Sequence, residues 1–257
     1  METQKIKAIA VDVDGTITDK DRKICIGAIE SIRAVEELEI PTIIVTGNIF
    51  FYAYATATLI GATGGIVAEN GGVISELDED GIEKIKVLGD FQKAQKTFDY
   101  LNSKLAENNN KSTENGLRKV DDSDSRLSEI AMYRTIDESV IKNILNESKE
   151  DFGVEVYDTQ FAIHITDKNI NKGSSLSIVA KKHGFDLDEI LAIGDSENDI
   201  EFLSVCGFKV AVANADESLK EIADYVCKNK YGDGVKEAIE EFILNSKWLN
   251  FNKKYII

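Results

Sequence analysis

A chain of 257 residues with 46 acidic against 30 basic side chains has a formal charge of −16, which opposes binding to nucleic acid or anionic lipid and repels any anionic ligand unless a metal ion or a local cation reverses the field. At 43% hydrophobic it can bury a full core, in one large domain or two unequal ones. No apolar run approaches the ~18 residues of a membrane span, METQKIKAIAVDVD has neither a long apolar stretch nor a small-residue cleavage site, and the expectation is a protein without a secretory signal, located in the cytoplasm.

KAIAVDVD (7 to 14) is a short run rich in Ile, Val and Ala that ends in turn residues, the pattern of a strand buried on both faces of a parallel sheet. Ile29, Ile32, Val35 and Leu38 then recur at helical spacing. PTIIVTGN (41 to 48) predicts a second buried strand, with the helix-like FFYAYATATLIGATG after it. Further on, Phe91, Ala94, Phe98, Leu101 and Leu105 form the stripe of an amphipathic helix. The polar stretch 108 to 125 reads as loop with a short strand near Leu117 to Val120. LSEIAMYRT predicts a strand, ESVIKNILNESKE a helix, and VEVYDT and FAIHIT two half-polar strands. Leu176, Val179 and Ala180 mark a helix, EILAIGDSEND (189 to 199) a third buried strand, and Leu219, Ile222 and Ala223 another helix.

Strand alternating with helix predicts an α/β doubly wound parallel sheet, a Rossmann-like core from residues 1–83 and 168–257. A smaller α+β cap domain of β-α-β-β-α-β-like order is expected as an insertion at 84–167. Gly81, Gly89, Asn169 and Gly173 mark hinge neighbourhoods, and 248–257 is expected to dock on the core, with another subunit as the alternative. Cys25, Cys206 and Cys227 lack CxxC spacing and are expected to be buried free thiols.

DVDGT, TGN and GDSEND each begin as an apolar strand ends. In doubly wound sheets ligands bind at the carboxyl ends of the strands, so Asp12, Asp14, Thr46, Asn48, Asp195 and Asp199 are expected to converge. Clustered carboxylates without nearby cysteine or histidine are hard oxygen ligands that suit Mg²⁺. One Asp can attack phosphorus and a second can move protons. Alternation along a strand points Asp12 and Asp14 the same way, while Gly15 lets the backbone turn and Thr16 adds a hydroxyl. An EF-hand loop starting at Asp12 fails, because Ile17 stands where Gly is needed and Lys23 where Glu is. TGN alone is common turn chemistry, and GDSEND alone can cap a helix through Ser196 and Asn198. Order and strand context distinguish them. His164, across its strand from Phe161, Ile163 and Ile165, and His183 near a helix end are expected to be structural. Arg118, Arg126 and Arg134 are either solvated or fork partners for a substrate carboxylate.

DVDGT at 12 to 16, Thr46 after its strand, Lys172 in NKGSS and GDSEND at 194 to 199 resemble, in order, the four motifs of the haloacid dehalogenase superfamily of phosphatases. ENGG at 69 to 72, the insertion and GDGV at 232 to 235 are similar to its Cof-type branch, and TGN with the helix after it looks most like the archaeal phosphoglycolate phosphatases. The resemblance implies that Asp12 is nucleophile and metal ligand, and that Asp14 is the acid/base and lends the metal its backbone carbonyl. It places Thr46, Gly47, Asn48, Lys172 and Asn198 around the phosphoryl group, and Asp195 and Asp199 in the Mg²⁺ shell. The expected activity is Mg²⁺-dependent hydrolysis of a small phosphomonoester, 2-phosphoglycolate first, through an aspartyl-phosphate, by a monomer or homodimer. The alternatives are a sugar-phosphate phosphatase of the same superfamily and a non-catalytic phosphometabolite-binding module.

Overall fold

The computed structural model describes residues 6–77, 83–107, 116–159 and 161–245; Gly81 and 248–257 lie outside them. The larger sheet contains β1 (Ala8–Val11), β2 (Thr42–Val45), β3 (Ile66–Ala68), β4 (Val73–Leu77), β5 (Glu83–Val87), β9 (Ile190–Gly194), β10 (Phe208–Ala211) and β11 (Tyr225–Val226) in the order β11-β10-β9-β1-β2-β3-β4-β5. From β11 to β3 the pairing is parallel, and β4 and β5 add an antiparallel edge. Every residue of β1, β2, β3 and β9 is buried, as expected of unbroken Ile/Val/Ala runs covered on both faces.

Helix α1 (Ile26–Glu36) packs against α2 (Phe50–Ile60) and α8 (Tyr231–Ile239). Helix α6 (Ile200–Val205) packs against α5 (Lys172–Lys182) and α7 (Glu217–Ile222). From β1 the chain moves one way to β2, whereas from β9 it moves the other way to β10. Right-handed crossovers therefore put the two helical groups on opposite faces and make the β1/β9 boundary the switch point. Cys206 and Cys227 are buried and Cys25 partly so, all as free thiols.

The sequence grouped residues 84–87 with the insertion, but they belong to β5, where Val87 faces Val73 across the antiparallel pair. Their half-polar alternation is that of an exposed edge strand, whose lysines discourage pairing with another chain. The smaller sheet has three antiparallel strands in the order β6-β8-β7, namely β6 (Ile130–Met132), β7 (Val154–Asp158) and β8 (Ile163–Asp167). Helices α3 (Phe91–Glu107) and α4 (Glu138–Asn146) cover one face of it around Ala94, Leu101, Ile130, Ile141, Ile163 and Ile165. The expected strand near Leu117 to Val120 makes a single bridge, Lys119 to Met132, so the observed order is α-β-α-β-β.

Between β3 and β4 the ENGG segment holds Glu69, Asn70 and Gly71 at φ of 50°, 52° and 100°. This left-handed turn presses against the start of α5, where a Cβ on Gly71 would lie 2.3 Å from the Asn171 carbonyl oxygen and 3.0 Å from the Lys172 nitrogen. Backbone strain and overpacking together predict that Gly71→Ala destabilises by about 2–4 kcal/mol, read as a shifted denaturant midpoint at unchanged slope. Gly173, a hinge candidate from the sequence, lies inside α5 and serves close packing instead: a Cβ there would meet the Glu201 carbonyl at 2.3 Å.

Candidate active site

β1 stops at Val11, earlier than the sequence pattern suggests, and Asp12 to Ile17 form a tight turn. Gly15 turns it with φ 84°, and a Cβ there would sit 2.2 Å from Asp195 Oδ2, so the turn and the loop after β9 fit together only around glycine. Asp12 and Asp14 open onto one cavity of about 340 Å³ at the switch point. Thr46, Gly47, Asn48, Lys172, Asp195 and Asn198 line it too, while Asp199 is fully buried behind them.

Among the described residues, Asp12, Asp195 and Asp199 present carboxylate oxygens that all lie within 4.8 Å of one another. Lys172, 1% exposed at the first turn of α5, donates to Asp12 Oδ1 at 3.0 Å and Asp199 Oδ1 at 2.6 Å. The other oxygen of Asp199 accepts the Asp195 and Ser196 backbone N–H groups at 3.0 and 3.1 Å. GDSEND is thus both a helix cap and a site element, although the capping pair is Ser196 and Asp199. Thr16 donates its hydroxyl to Asp195 Oδ1 at 3.0 Å.

Burial and Asp199 push the Asp12 carboxyl up to about 7 against the opposing pull of Lys172, and burial and Asp12 push Asp195 up to about 9. Burial opposes the charge on Lys172, but Asp12 and Asp199 outweigh it and hold the ammonium above its usual range. With all three carboxylates ionised, the one ammonium would leave two buried negative charges uncompensated, which is why Asp12 and Asp195 hold their protons so tightly. That deficit and an all-oxygen donor set fit a hard dication.

Asp14 is held apart from this cluster. Arg22 Nε donates to its Oδ1 at 2.8 Å, and the Asn48 side-chain amide donates to its Oδ2. The same amide nitrogen donates to Thr46 Oγ1 at 3.2 Å, and the Asn48 backbone N–H does so at 3.1 Å. With its oxygen accepting twice, the Thr46 hydroxyl keeps its proton to donate into the cavity. Asn48, expected beside phosphate, has its side chain engaged with Asp14, Thr46 and Arg22. Asn198 donates to Asn70 Oδ1 at 3.4 Å and accepts from Ser196.

The small sheet supplies the opposite wall. His164 alternates away from Ile163 and Ile165 and so faces the cavity. Its Nδ1 lies 2.9 Å from Glu129 Oε1, and Glu129 also accepts from Arg126 and from Asn70 Nδ2, the latter at 3.0 Å. Burial pushes the Glu129 carboxyl up, but His164 and Arg126 outweigh it and hold it below the usual range. Arg126 Nη1 also donates to the Gly47 carbonyl at 3.0 Å, tying this wall to the TGN loop. Glu69 accepts the Ser128 backbone N–H at 2.9 Å and the Ser128 hydroxyl at 2.7 Å. Glu129→Ala removes the buried partner of Arg126, leaving that guanidinium only Asp122 at 3.4 Å and the Gly47 carbonyl, and is expected to destabilise by about 3–5 kcal/mol, measured by urea unfolding.

Of the three cap arginines considered from the sequence, only Arg126 lines the cavity. Arg134 pairs with Asp158 at 2.7 Å, and Arg118 lies over the Tyr133 ring at 4.9 Å. Sequence reasoning missed Arg22 and Glu129. Arg22 sits in DKDRK, which reads as a solvated turn, and nothing there separates it from its neighbours Lys20 and Lys23. Glu129 was hidden inside an apolar strand run.

A doubly wound sheet with buried carboxylates and an ammonium at its switch point, roofed by an inserted sheet, defines a cation-assisted hydrolase. The chain belongs to the haloacid dehalogenase-like hydrolase family, whose model matches residues 9–239. It is 48% identical over 238 residues to the phosphoglycolate phosphatase of Methanothermobacter thermautotrophicus, covering 93% of this chain and 99% of that one. It is 42% identical over 237 residues to the phosphoglycolate phosphatase of Archaeoglobus fulgidus, covering 92% and 96%. A crystal structure from Thermoplasma acidophilum superposes with a TM-score of 0.77 at 26% identity over 93% of this chain and 98% of that one. A haloacid dehalogenase-like hydrolase from Bacteroides thetaiotaomicron, at 22% identity and TM-score 0.71 over 92% and 99%, shares the fold. No helix among the described residues is long and apolar enough to cross a membrane.

Proposed function

We propose that the protein hydrolyses 2-phosphoglycolate, with Mg²⁺ as its resident cation and the two carboxylates of DVDGT in different roles. The coarser statement, a phosphatase of small phosphometabolites, follows from family membership and the carboxylate cluster. The observation that carries the finer reading is that Asp12 and Asp14 share one cavity but are held by different partners. Asp12 lies against Lys172 with the other cluster acids, and Asp14 lies against Arg22 and Asn48. A cavity of about 340 Å³ stands near the lower end of ligand pockets, roughly 300–1,000 Å³, in keeping with a small phosphoester, and the similarity to phosphoglycolate phosphatases at 48% and 42% identity favours 2-phosphoglycolate.

In this mechanism Asp12 attacks phosphorus as the leaving alkoxide takes a proton from Asp14. The Asp14 carboxylate then accepts a proton from the water that attacks the aspartyl-phosphate, which frees phosphate and restores Asp12. Thr46 donates to one phosphoryl oxygen, and Lys172 offsets charge beside another. A dication held by Asp12, Asp195 and Asp199 supplies further stabilisation of the charge on the transferring oxygens. Specificity constants for 2-phosphoglycolate, hexose phosphates and a nucleoside monophosphate test the substrate. The expected result is a preference for 2-phosphoglycolate of at least ~10-fold, and a preferred hexose phosphate would overturn it.

A further inference from the structure

We propose that Arg22 recognises the carboxylate of the substrate, an inference that rests on the 2-phosphoglycolate reading. In that molecule the carboxylate is one methylene from the oxygen that leaves phosphorus. The group that binds it must therefore lie beside the acid that protonates that oxygen. Arg22 has this position, with Nε 2.8 Å from Asp14 Oδ1 and Nη2 3.0 Å from Asn48 Oδ1.

Three Lys or Arg side chains line the cavity among the described residues: Lys172, Arg126 and Arg22. Lys172 lies between Asp12 and Asp199, on the phosphoryl side. Arg126 is buried and countered by Glu129 and Asp122. The ionised Glu129 behind His164 opposes an anion at that wall. Arg22 is 43% exposed; Asp14, Asn48 and a side-chain hydrogen bond with Tyr52 engage part of its guanidinium, and its five N–H donors exceed what those partners take up. The Tyr52 and Phe161 rings flank its guanidinium at 5.6 and 5.5 Å, which fixes its plane and limits its hydration. Phe161 comes from the β7–β8 turn, so the inserted sheet completes the site.

The backbone agrees. Arg22 has φ 61°, a conformation costly for a residue with a side chain. The turn is fastened by Asp19, whose carboxylate accepts the Asp21 and Lys23 N–H groups at 2.9 and 3.0 Å and whose carbonyl accepts that of Arg22 at 2.9 Å.

The test compares 2-phosphoglycolate with ethyl phosphate, which has the same skeleton without the carboxylate, on the Mg²⁺-loaded wild type, Arg22→Gln and Arg22→Lys. Arg22→Gln is expected to lose on the order of 100-fold in kcat/KM on 2-phosphoglycolate, chiefly through KM, and less than about 10-fold on ethyl phosphate. Arg22→Lys is expected to regain part of the loss, because it restores the charge without the fork. Equal losses on both substrates would mean that Arg22 acts only through Asp14, and would overturn the proposal. A wild type that does not distinguish the two substrates would sink the substrate reading itself, visibly before any variant is made.

Discussion

Asp12→Asn is expected to fold normally and to lose Mg²⁺-dependent phosphate release by on the order of 10⁵-fold, because removing a covalent nucleophile removes the reaction path rather than one contact along it. The carboxamide is nearly the same size and still accepts from Lys172 through its oxygen. It also removes one of the three clustered carboxyl groups. In the metal-free protein the ionised Asp12 is costly, since burial and Asp199 push its carboxyl up to about 7. Asn lacks that cost, so the metal-free variant is expected to melt no lower than metal-free wild type at pH 8. Calorimetry and a single-turnover phosphate assay check both halves. Full activity in Asp12→Asn would remove the aspartyl-phosphate mechanism, and a much lower melting temperature would show that Asp12 has a structural role.

The core strands were legible because a strand buried on both faces must be apolar throughout, and β1, β2 and β9 are. Their polar ends were legible for the complementary reason, since buried polar groups persist only with partners or a task. The edge was less so. β5 alternates Lys84, Ile85, Lys86 and Val87, which on periodicity alone matches a strand of either sheet. Within the site, Asp12, Asp195 and Asp199 stood out by type and by place in the sheet, whereas Lys172 emerged only from motif order, a lysine at a helix start being ordinarily solvated. Arg22 was invisible for a physical reason: its aim depends on a left-handed backbone angle and on two rings, Tyr52 and Phe161, that sequence distance does not reveal. His164 shows both sides of the problem, since it makes the structural bond expected of a buried histidine and also faces the cavity.

Stripping the divalent cation is expected to lower activity by on the order of 10³-fold or more, and to lower thermal stability by an amount that grows with pH. Asp12 and Asp195 both have carboxyls raised well above the ordinary aspartate range, to about 7 and about 9. A raised carboxyl means that the folded state holds its proton more tightly than the unfolded chain does. The stability this confers on the metal-free protein is fully present below about pH 4, then is lost as pH rises through about 7 for Asp12 and about 9 for Asp195. A dication competes with those protons and neutralises the carboxylates, so its binding releases protons and strengthens as pH rises. The gain in melting temperature on adding Mg²⁺ is therefore expected to be larger at pH 8 than at pH 5.5. Comparing with and without cation at one pH cancels the titration of groups remote from the cluster. A gain independent of pH, or larger in acid, would mean that the stabilising cation binds elsewhere than at Asp12, Asp195 and Asp199.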